Sequence, residues 1–149
     1  MVAYLLAHLS RLRTHLAHDM EALNPVQLLP LTQSWRDVAR ALTHYQARHW
    51  DSLTTTQHLD FNACQNSLLT HADTLDKRGV LFLPGSFAEL YTDSVSLNKQ
   101  VVSLLPHTDN LVQGYTLGAM VVALASGLTY QDARNIRSAQ RELNRLLEG

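Results

Sequence analysis

Apolar residues recur at every third or fourth position along most of this chain, which is the spacing of amphipathic helices. The pattern is interrupted where proline, glycine or a residue that caps helix ends occurs. One interruption, the apolar stretch 23–31, is flanked by prolines and is predicted as a connector. The remaining pattern predicts six helices, which cover residues 2–22, about 34–50, 55–77, 86–105, 110–125 and 129–147.

The fifth predicted helix, near residues 110–125, is apolar on nearly every face, which is typical of a helix surrounded by others. Gly114 and Gly118 lie four apart in it and suggest close contact with a neighbouring backbone, and Asp109 is its predicted cap. Proline and glycine are otherwise scarce, and no repeat or long linker divides the chain. The sequence therefore predicts an all-α fold in which residues 1–149 form a single helical domain around this helix.

Composition narrows the class of protein. With 46% hydrophobic and 17% charged residues among 149, the chain resembles an ordinary globular protein that can bury a core. Its net charge of −1 neither attracts nor repels nucleic acid. A single cysteine, Cys64, excludes an internal disulfide and favours a reducing compartment, so we expect a cytoplasmic and bacterial protein. The longest apolar run, 115–125, is shorter than the ~18–20 residues that span a bilayer, and we expect no membrane partner.

Motifs for catalysis and cofactor binding are absent from the sequence, which contains no phosphate loop, dinucleotide-binding glycine pattern or zinc-ligand spacing. His15, His18 and Asp19 could approach a metal from one helical turn, but zinc needs three or four convergent ligands. The spacing of Arg13 and His18 resembles that of helical RNases related to toxin families, in which arginine and histidine act on the RNA phosphodiester. Arginine and histidine are common in this chain, so we predict no catalytic residue, no cofactor and no metal.

A short apolar strip consists of Val80, Leu81, Phe82 and Leu83, and Pro84 follows it. The strip is too short for a helix, so it is either a buried crossover or an extended segment that contacts a partner. We predict that these four residues contact a partner protein.

The last forty residues have the outline of two helices joined by a tight turn at 127–129. The spacing of a small residue, a turn glycine and three apolar residues resembles the bacterial helix-turn-helix over about residues 119–140, at Ala123, Gly127, Leu128, Ala133 and Ile136. In this resemblance Thr129 caps the second helix, which would contact nucleic acid. The apolar first helix and the long second helix depart from the motif.

Arginines recur on one face of each of two predicted helices. At about 100° per residue, four arginines share a face of the last helix, and three more follow one side of the second helix. Such rows suit phosphates or an acidic partner, and a solvated helix face whose arginines pair with Glu142 and Glu148 gives the same pattern. The arginines are Arg134, Arg137, Arg141 and Arg145, and Arg36, Arg40 and Arg48.

Well-formed amphipathic helices without catalytic motifs favour a non-catalytic interaction module. It would be an adaptor, a chaperone-like factor or a small subunit of a larger assembly that binds a protein partner. The alternative is a nucleic-acid-binding protein, or a subunit of a nucleoprotein complex, that uses the helix-turn-helix-like segment and an arginine face. The alternative requires the arginines of the last helix to be exposed together and free of Glu142 and Glu148, preferably beside Arg40 and Arg48.

Overall fold

The computed structural model describes residues 2–7 and 20–149, and these residues form helices joined by short turns. A two-stranded sheet and two single 3₁₀ turns, Trp50–Ser52 and Leu105–His107, complete them. The predicted all-α class is confirmed. In chain order the elements are α1 (2–7), β1 (Met20–Leu23), α2 (Pro25–Arg48), α3 (Thr55–Arg78), β2 (Leu81–Pro84), α4 (Gly85–Leu104), α5 (Leu111–Thr129) and α6 (Ala133–Glu148).

The apolar helix α5 lies at the centre of the bundle, as predicted. It contacts α2, α3, α4 and α6, and its Leu117, Val121 and Leu124 side chains are fully buried. α2 supplies a second part of the core through Trp35, Val38 and Leu42, because it packs on α3, α4 and α5. Burial of large side chains at about 1.5–3 kcal/mol each makes these two helices the main source of stability.

α2 begins about nine residues before its predicted start, so the prediction of a connector at 23–31 is wrong. Asn24 caps the helix, because its Oδ1 accepts from the Gln27 amide at 2.9 Å while its own amide donates to Gln27 Oε1 at 2.9 Å. Pro25 occupies the first helical position, where the missing N–H costs no hydrogen bond. Leu28 and Leu31 are buried within the first turns of α2.

The C-terminal end of the first predicted helix is a strand in the structure. Residues 20–23 form a strand, and β1 pairs antiparallel with β2, so that Ala22 opposes Phe82 and Leu23 opposes Leu81. Residues 8–19, which carry the metal candidates and the spacing of Arg13 and His18, lie outside the described residues.

The turn between α5 and α6 differs from the predicted helix-turn-helix. Gly127 is helical and α5 continues to Thr129, while the left-handed residue of the turn is Gln131, with φ 56°. A Cβ on Gly127 would lie 3.0 Å from Ile136 Cγ1 and 3.2 Å from the Ile136 amide nitrogen, so glycine permits the close approach of α6. Asp132, not Thr129, caps α6 by accepting from the Asn135 amide at 3.2 Å.

Two other predicted helix ends can be compared with the structure. The third helix agrees with its prediction within one residue, and Thr54 and Gln57 form a capping box at its start. α5 is capped by Asn110, whose side chain accepts from the Gln113 amide at 3.1 Å, and not by Asp109. Neighbouring polar residues are equivalent as caps in sequence, and only the backbone conformation decides between them.

Candidate interaction surfaces

A groove of about 1010 Å³ lies between the first turns of α2 and the outer side of α4, and we call it the α2–α4 groove. Buried Leu28 and Leu31 of α2 and Tyr91 of α4 contribute apolar surface to it. Its lining on α4 runs from Ala88 to Leu104, which is about 24 Å of helix at 1.5 Å per residue. A groove of this length suits an elongated occupant such as a helix of four to five turns.

The α4 side of the groove carries small polar side chains. Thr92, Ser96 and Ser103 are exposed along it, and Lys99 is the one charged residue among the described residues that line the groove. Surface helix faces are usually rich in charged residues, because charge keeps them solvated. The scarcity of charge here permits close contact with another helix without the cost of burying ions.

Residues 81–83 of the predicted strip belong to β2 and Val80 directly precedes it, and the side chains from 80 to 83 alternate between solvent and core. Leu81 and Leu83 are buried, with 6% and 0% exposure, whereas Val80 and Phe82 are 49% and 63% exposed. The prediction that all four residues contact a partner is therefore corrected, because the alternation leaves Val80 and Phe82 available and places the two leucines in the core.

The predicted arginine row on α2 is largely occupied by contacts within the chain. The Arg36 Nη2 atom lies 3.0 Å from Asp73 Oδ1 and 2.6 Å from Asp76 Oδ2, and the hydrogen bond with Asp76 raises the pKa of Arg36. Arg48 donates to the carbonyl oxygens of Pro106, Leu105 and Thr108 at 2.5–3.1 Å, where α4 ends. Both arginines thus have structural roles.

Arg40 is the most solvated member of this row, with 68% of its side chain exposed and Asp37 Oδ1 3.9 Å from its Nη1 atom. Together with His44 and Arg48 it lines a cavity of about 370 Å³ beside the end of α4. No residue of α6 lines this cavity. The two predicted arginine rows are therefore not joined by a common pocket among the described residues.

The arginine row on α6 is exposed along its whole length, opposite the buried Ile136, Ala139 and Leu143. Arg145 is tied to Glu142, and its Nε atom lies 3.1 Å from Glu142 Oε2, a contact that lowers the pKa of Glu142. The structure records no ion pair of the other three arginines with any side chain that it describes; they are Arg134, Arg137 and Arg141. The row therefore fulfils the condition of common exposure, but at Arg145 it is not free of Glu142.

α6 follows the C-terminal end of α5, which is closed in the sense that hydrogen bonds satisfy its last carbonyl groups. The sequence did not predict these hydrogen bonds. The Tyr91 hydroxyl donates to the Leu128 carbonyl at 2.5 Å, and the Arg78 guanidinium donates to the Thr129 carbonyl. Burial raises the pKa of Tyr91 to about 12. Backbone amides of residues 130 and 132 satisfy the carbonyls of residues 126 and 127 at 3.0 and 2.9 Å. A cation at the negative end of a helix dipole is stabilising, so Arg78 is held at this end of α5.

Tyr130 is the first residue after α5, and 71% of it is exposed. Its ring centroid lies 6.2 Å from that of His71 at an interplanar angle of 85°, and His71 in turn contacts the buried Trp35 ring at 6.4 Å. Burial lowers the pKa of His71. The Tyr130 side chain is therefore exposed to solvent and is supported by the His71 ring. It lies next to the Thr129 carbonyl that Arg78 binds and shortly before the first turn of α6. The only signal for this arrangement in the sequence is an aromatic residue directly after a predicted turn.

The buried polar side chain of Gln46 is hydrogen-bonded to side chains of α3. Gln46, which is 5% exposed, accepts from Gln65 Nε2 at 2.8 Å, and its own Nε2 lies 3.2 Å from Asn62 Oδ1 and 3.0 Å from His58 Nδ1. These contacts join α2 to α3. Cys64 is 8% exposed, and burial raises the pKa of its thiol, which disfavours the reactive thiolate. Within the described ranges, no group of three or more potential ligands could hold a metal ion.

α5 contains no charged residue, and an 18-residue stretch of it has a mean hydropathy of 1.5. By length and composition alone this helix could cross a membrane, although the sequence pattern did not predict a span. In the structure 44% of it is buried inside the bundle, and the core helix of a globular protein meets the same criteria.

The fold and these surfaces define the chain as an all-α helical bundle with an open groove on one side and an arginine-rich helix face on another. No protein-family model matches the chain, and neither the curated proteins nor the solved structures compared with it give a match.

Proposed function

We propose that the protein is a non-catalytic helical interaction module that binds an amphipathic helix of a partner protein in the α2–α4 groove. The observation that carries this proposal is the groove itself, whose lining extends over about 24 Å of α4 among the described residues. A bound helix would place apolar side chains against the half-buried Leu23, Val95 and Leu104. The module would act as an adaptor, a chaperone-like factor or a small subunit of a cytoplasmic assembly.

The chemistry of the lining supports a helix over a compact ligand. Small side chains at Thr92, Ser96 and Ser103 allow close backbone approach, and an apolar stripe at helical spacing fills an elongated groove. Burial of apolar surface at about 25 cal/mol per Å² supplies the driving force, against the loss of translational freedom on binding. Exposed Phe82 and Val80 offer a further apolar contact for the same partner.

Site-specific photo-crosslinking in the native host tests this proposal. A photoreactive residue at Ser96, which is exposed in the groove, should form an adduct with a partner protein. The same residue at Asn66, exposed on α3 outside the groove, is the matched control. Ser96→Arg should abolish co-purification of that partner, whereas Asn66→Arg should not. Recovery of the chain as a lone monomer, with no adduct at Ser96, would count against the proposal.

A second candidate function is nucleic-acid binding through α6. It is favoured by the common exposure of Arg134, Arg137 and Arg141 without an acidic partner among the described side chains. Fluorescence anisotropy against nucleic acids at two salt concentrations tests it, since each phosphate contact contributes about one unit to the salt slope. Salt-independent or absent binding, unchanged by Arg137→Ala with Arg141→Ala, would refute this candidate.

A further inference from the structure

We propose that the surface formed by Tyr130, Arg134, Arg137 and Arg141 binds a single-stranded nucleic acid, with a base stacked on Tyr130 and phosphates along the α6 arginines. We call it the Tyr130 surface. The inference rests on the second candidate function and specifies its ligand.

Tyr130 supplies the stacking platform. Its ring is 71% exposed, yet it follows directly on the closed end of α5 and packs at a right angle on His71. A large aromatic ring held in solvent by a rigid neighbour loses little conformational entropy when a base stacks on it. Stacking of this kind contributes about 1–3 kcal/mol per base in proteins that bind single strands.

Cations follow this ring closely along the chain. α6 starts three residues after Tyr130, and Arg134, the first exposed arginine of the row, lies in its first turn. The row from Arg134 to Arg141 extends over about 10 Å of helix, which is enough for two or three successive phosphates. The Tyr130 ring and the first of these arginines are therefore neighbours through the short turn that joins α5 to α6.

The acidic residues near this surface have other partners. Asp132 caps α6, and its two carboxylate oxygens accept from the Asn135 amide at 3.2 Å and from Asn135 Nδ2 at 2.7 Å. Asp73 and Asp76, on the last turns of α3, are paired with Arg36. Glu142 neutralises Arg145, which is why that arginine is not included in the surface.

The geometry favours a single strand over a duplex. In the helix-turn-helix, the N-terminal residues of the second helix enter the major groove and read base edges. Here the helix start carries the Asp132 carboxylate and the exposed Tyr130 ring, and Gly127 lies inside α5 instead of forming the turn. An aromatic ring stacks only on a base that is unpaired, so the exposed Tyr130 ring favours a single strand.

Anisotropy titrations of the full chain against a labelled 15-nucleotide oligo(dT) and a 15-base-pair duplex, each at 50 and 200 mM salt, test the inference. We expect tighter binding of the single strand. Tyr130→Leu should weaken it by about 5- to 150-fold, which corresponds to the loss of one stacked base. Tyr130→Phe, which keeps the ring, should bind within about twofold of the unchanged chain. Tyr4→Leu is the matched control, because Tyr4 is exposed on α1.

Charge variants separate a defined surface from general electrostatic attraction. Arg137→Ala should lower the salt slope by about one unit, and Arg40→Ala on α2 should leave it unchanged. Equal effects of these two variants would overturn the inference. Tighter binding of the duplex, unaffected by Tyr130→Leu but weakened by Arg137→Ala, would leave the second candidate function standing and refute the single-strand inference. Absence of salt-dependent binding to either probe would refute both.

Discussion

Gly114→Ala should destabilise the protein even though alanine is the better helix former. A Cβ at this position would lie 2.5 Å from the Tyr45 hydroxyl oxygen and 2.7 Å from Tyr45 Cε1. The ring cannot easily move away, because it is 2% exposed and stacks on Phe61 at 5.7 Å, and the Arg48 guanidinium lies 5.4 Å from its centroid. The substitution must therefore displace the Tyr45 hydroxyl, which donates to the Asn110 carbonyl at 3.0 Å.

The size of this effect follows from three terms. Alanine in place of glycine within a helix contributes about 1 kcal/mol of stability. Overpacking costs about 1–3 kcal/mol, and a buried hydroxyl left without its acceptor costs about 1–3 kcal/mol more. The net loss is about 3 kcal/mol, a large share of the roughly 5–15 kcal/mol that holds a typical domain together.

Gly118→Ala is the matched control on the same helix. Its Cβ would lie 3.0 and 3.1 Å from the two methyl carbons of Leu42, which can shift by a few tenths of an ångström. The gain in helix propensity then offsets the contact, and the free energy of unfolding should stay within about 1 kcal/mol of the unchanged chain.

Urea unfolding followed by circular dichroism measures both variants. Adding Tyr45→Phe should relieve part of the Gly114→Ala defect, with a coupling of about 1 kcal/mol or more, because the two sites are in contact. If Gly114→Ala were as stable as Gly118→Ala, the close contact with Tyr45 would not be the reason for glycine at this position.

Three further substitutions test single contacts. The pKa of Tyr91 is raised to about 12 from its usual value near 10, so the unfolded chain loses this proton first and stability falls by up to about 1.4 kcal/mol per unit between pH 10 and 12. Urea unfolding across that range should show this part of the loss in the unchanged chain and not in Tyr91→Phe. Arg48→Met should cost about 1–3 kcal/mol, because it removes three hydrogen bonds to carbonyls at the end of α4, of which Leu105 alone keeps a recorded donor, the Thr108 amide. Arg40→Met should cost less than about 0.5 kcal/mol, and equal losses in thermal melts would contradict this. Gly127→Ala places a Cβ 3.2 Å from a backbone nitrogen that cannot rotate away, so a melting temperature at or above that of Gly118→Ala would argue against close packing of α6 on α5.

The sequence by itself determined the helices and the faces that they bury. The spacing of apolar residues predicted α3 to within a residue, and the spacing of the arginines on α6 predicted a common face, which the structure shows opposite the buried Ile136 and Leu143. The uncharged composition of α5 predicted its central position. These features follow from local periodicity, because a helix with one apolar side has one stable orientation on a core.

Tertiary structure decided the conformation wherever a residue in the sequence is compatible with two local structures. Pro25 is as compatible with the first position of a helix as with a break, and Gly127 is as compatible with a close helix contact as with a turn. The strand at residues 20–23 exists because β2 pairs with it, sixty residues away. No pattern within residues 20–23 indicates that β2 will pair with them.

The same holds for the candidate sites. Arg36 and Arg48 are indistinguishable from Arg40 in sequence. In the structure, however, both donate hydrogen bonds to acceptors that lie 37–60 residues further along the chain. The α2–α4 groove and the Tyr130 surface exist only where separate elements meet. Sequence determines which groups can bind, and tertiary contacts decide which remain free to do so, because each hydrogen bond made within the fold removes a donor from the surface.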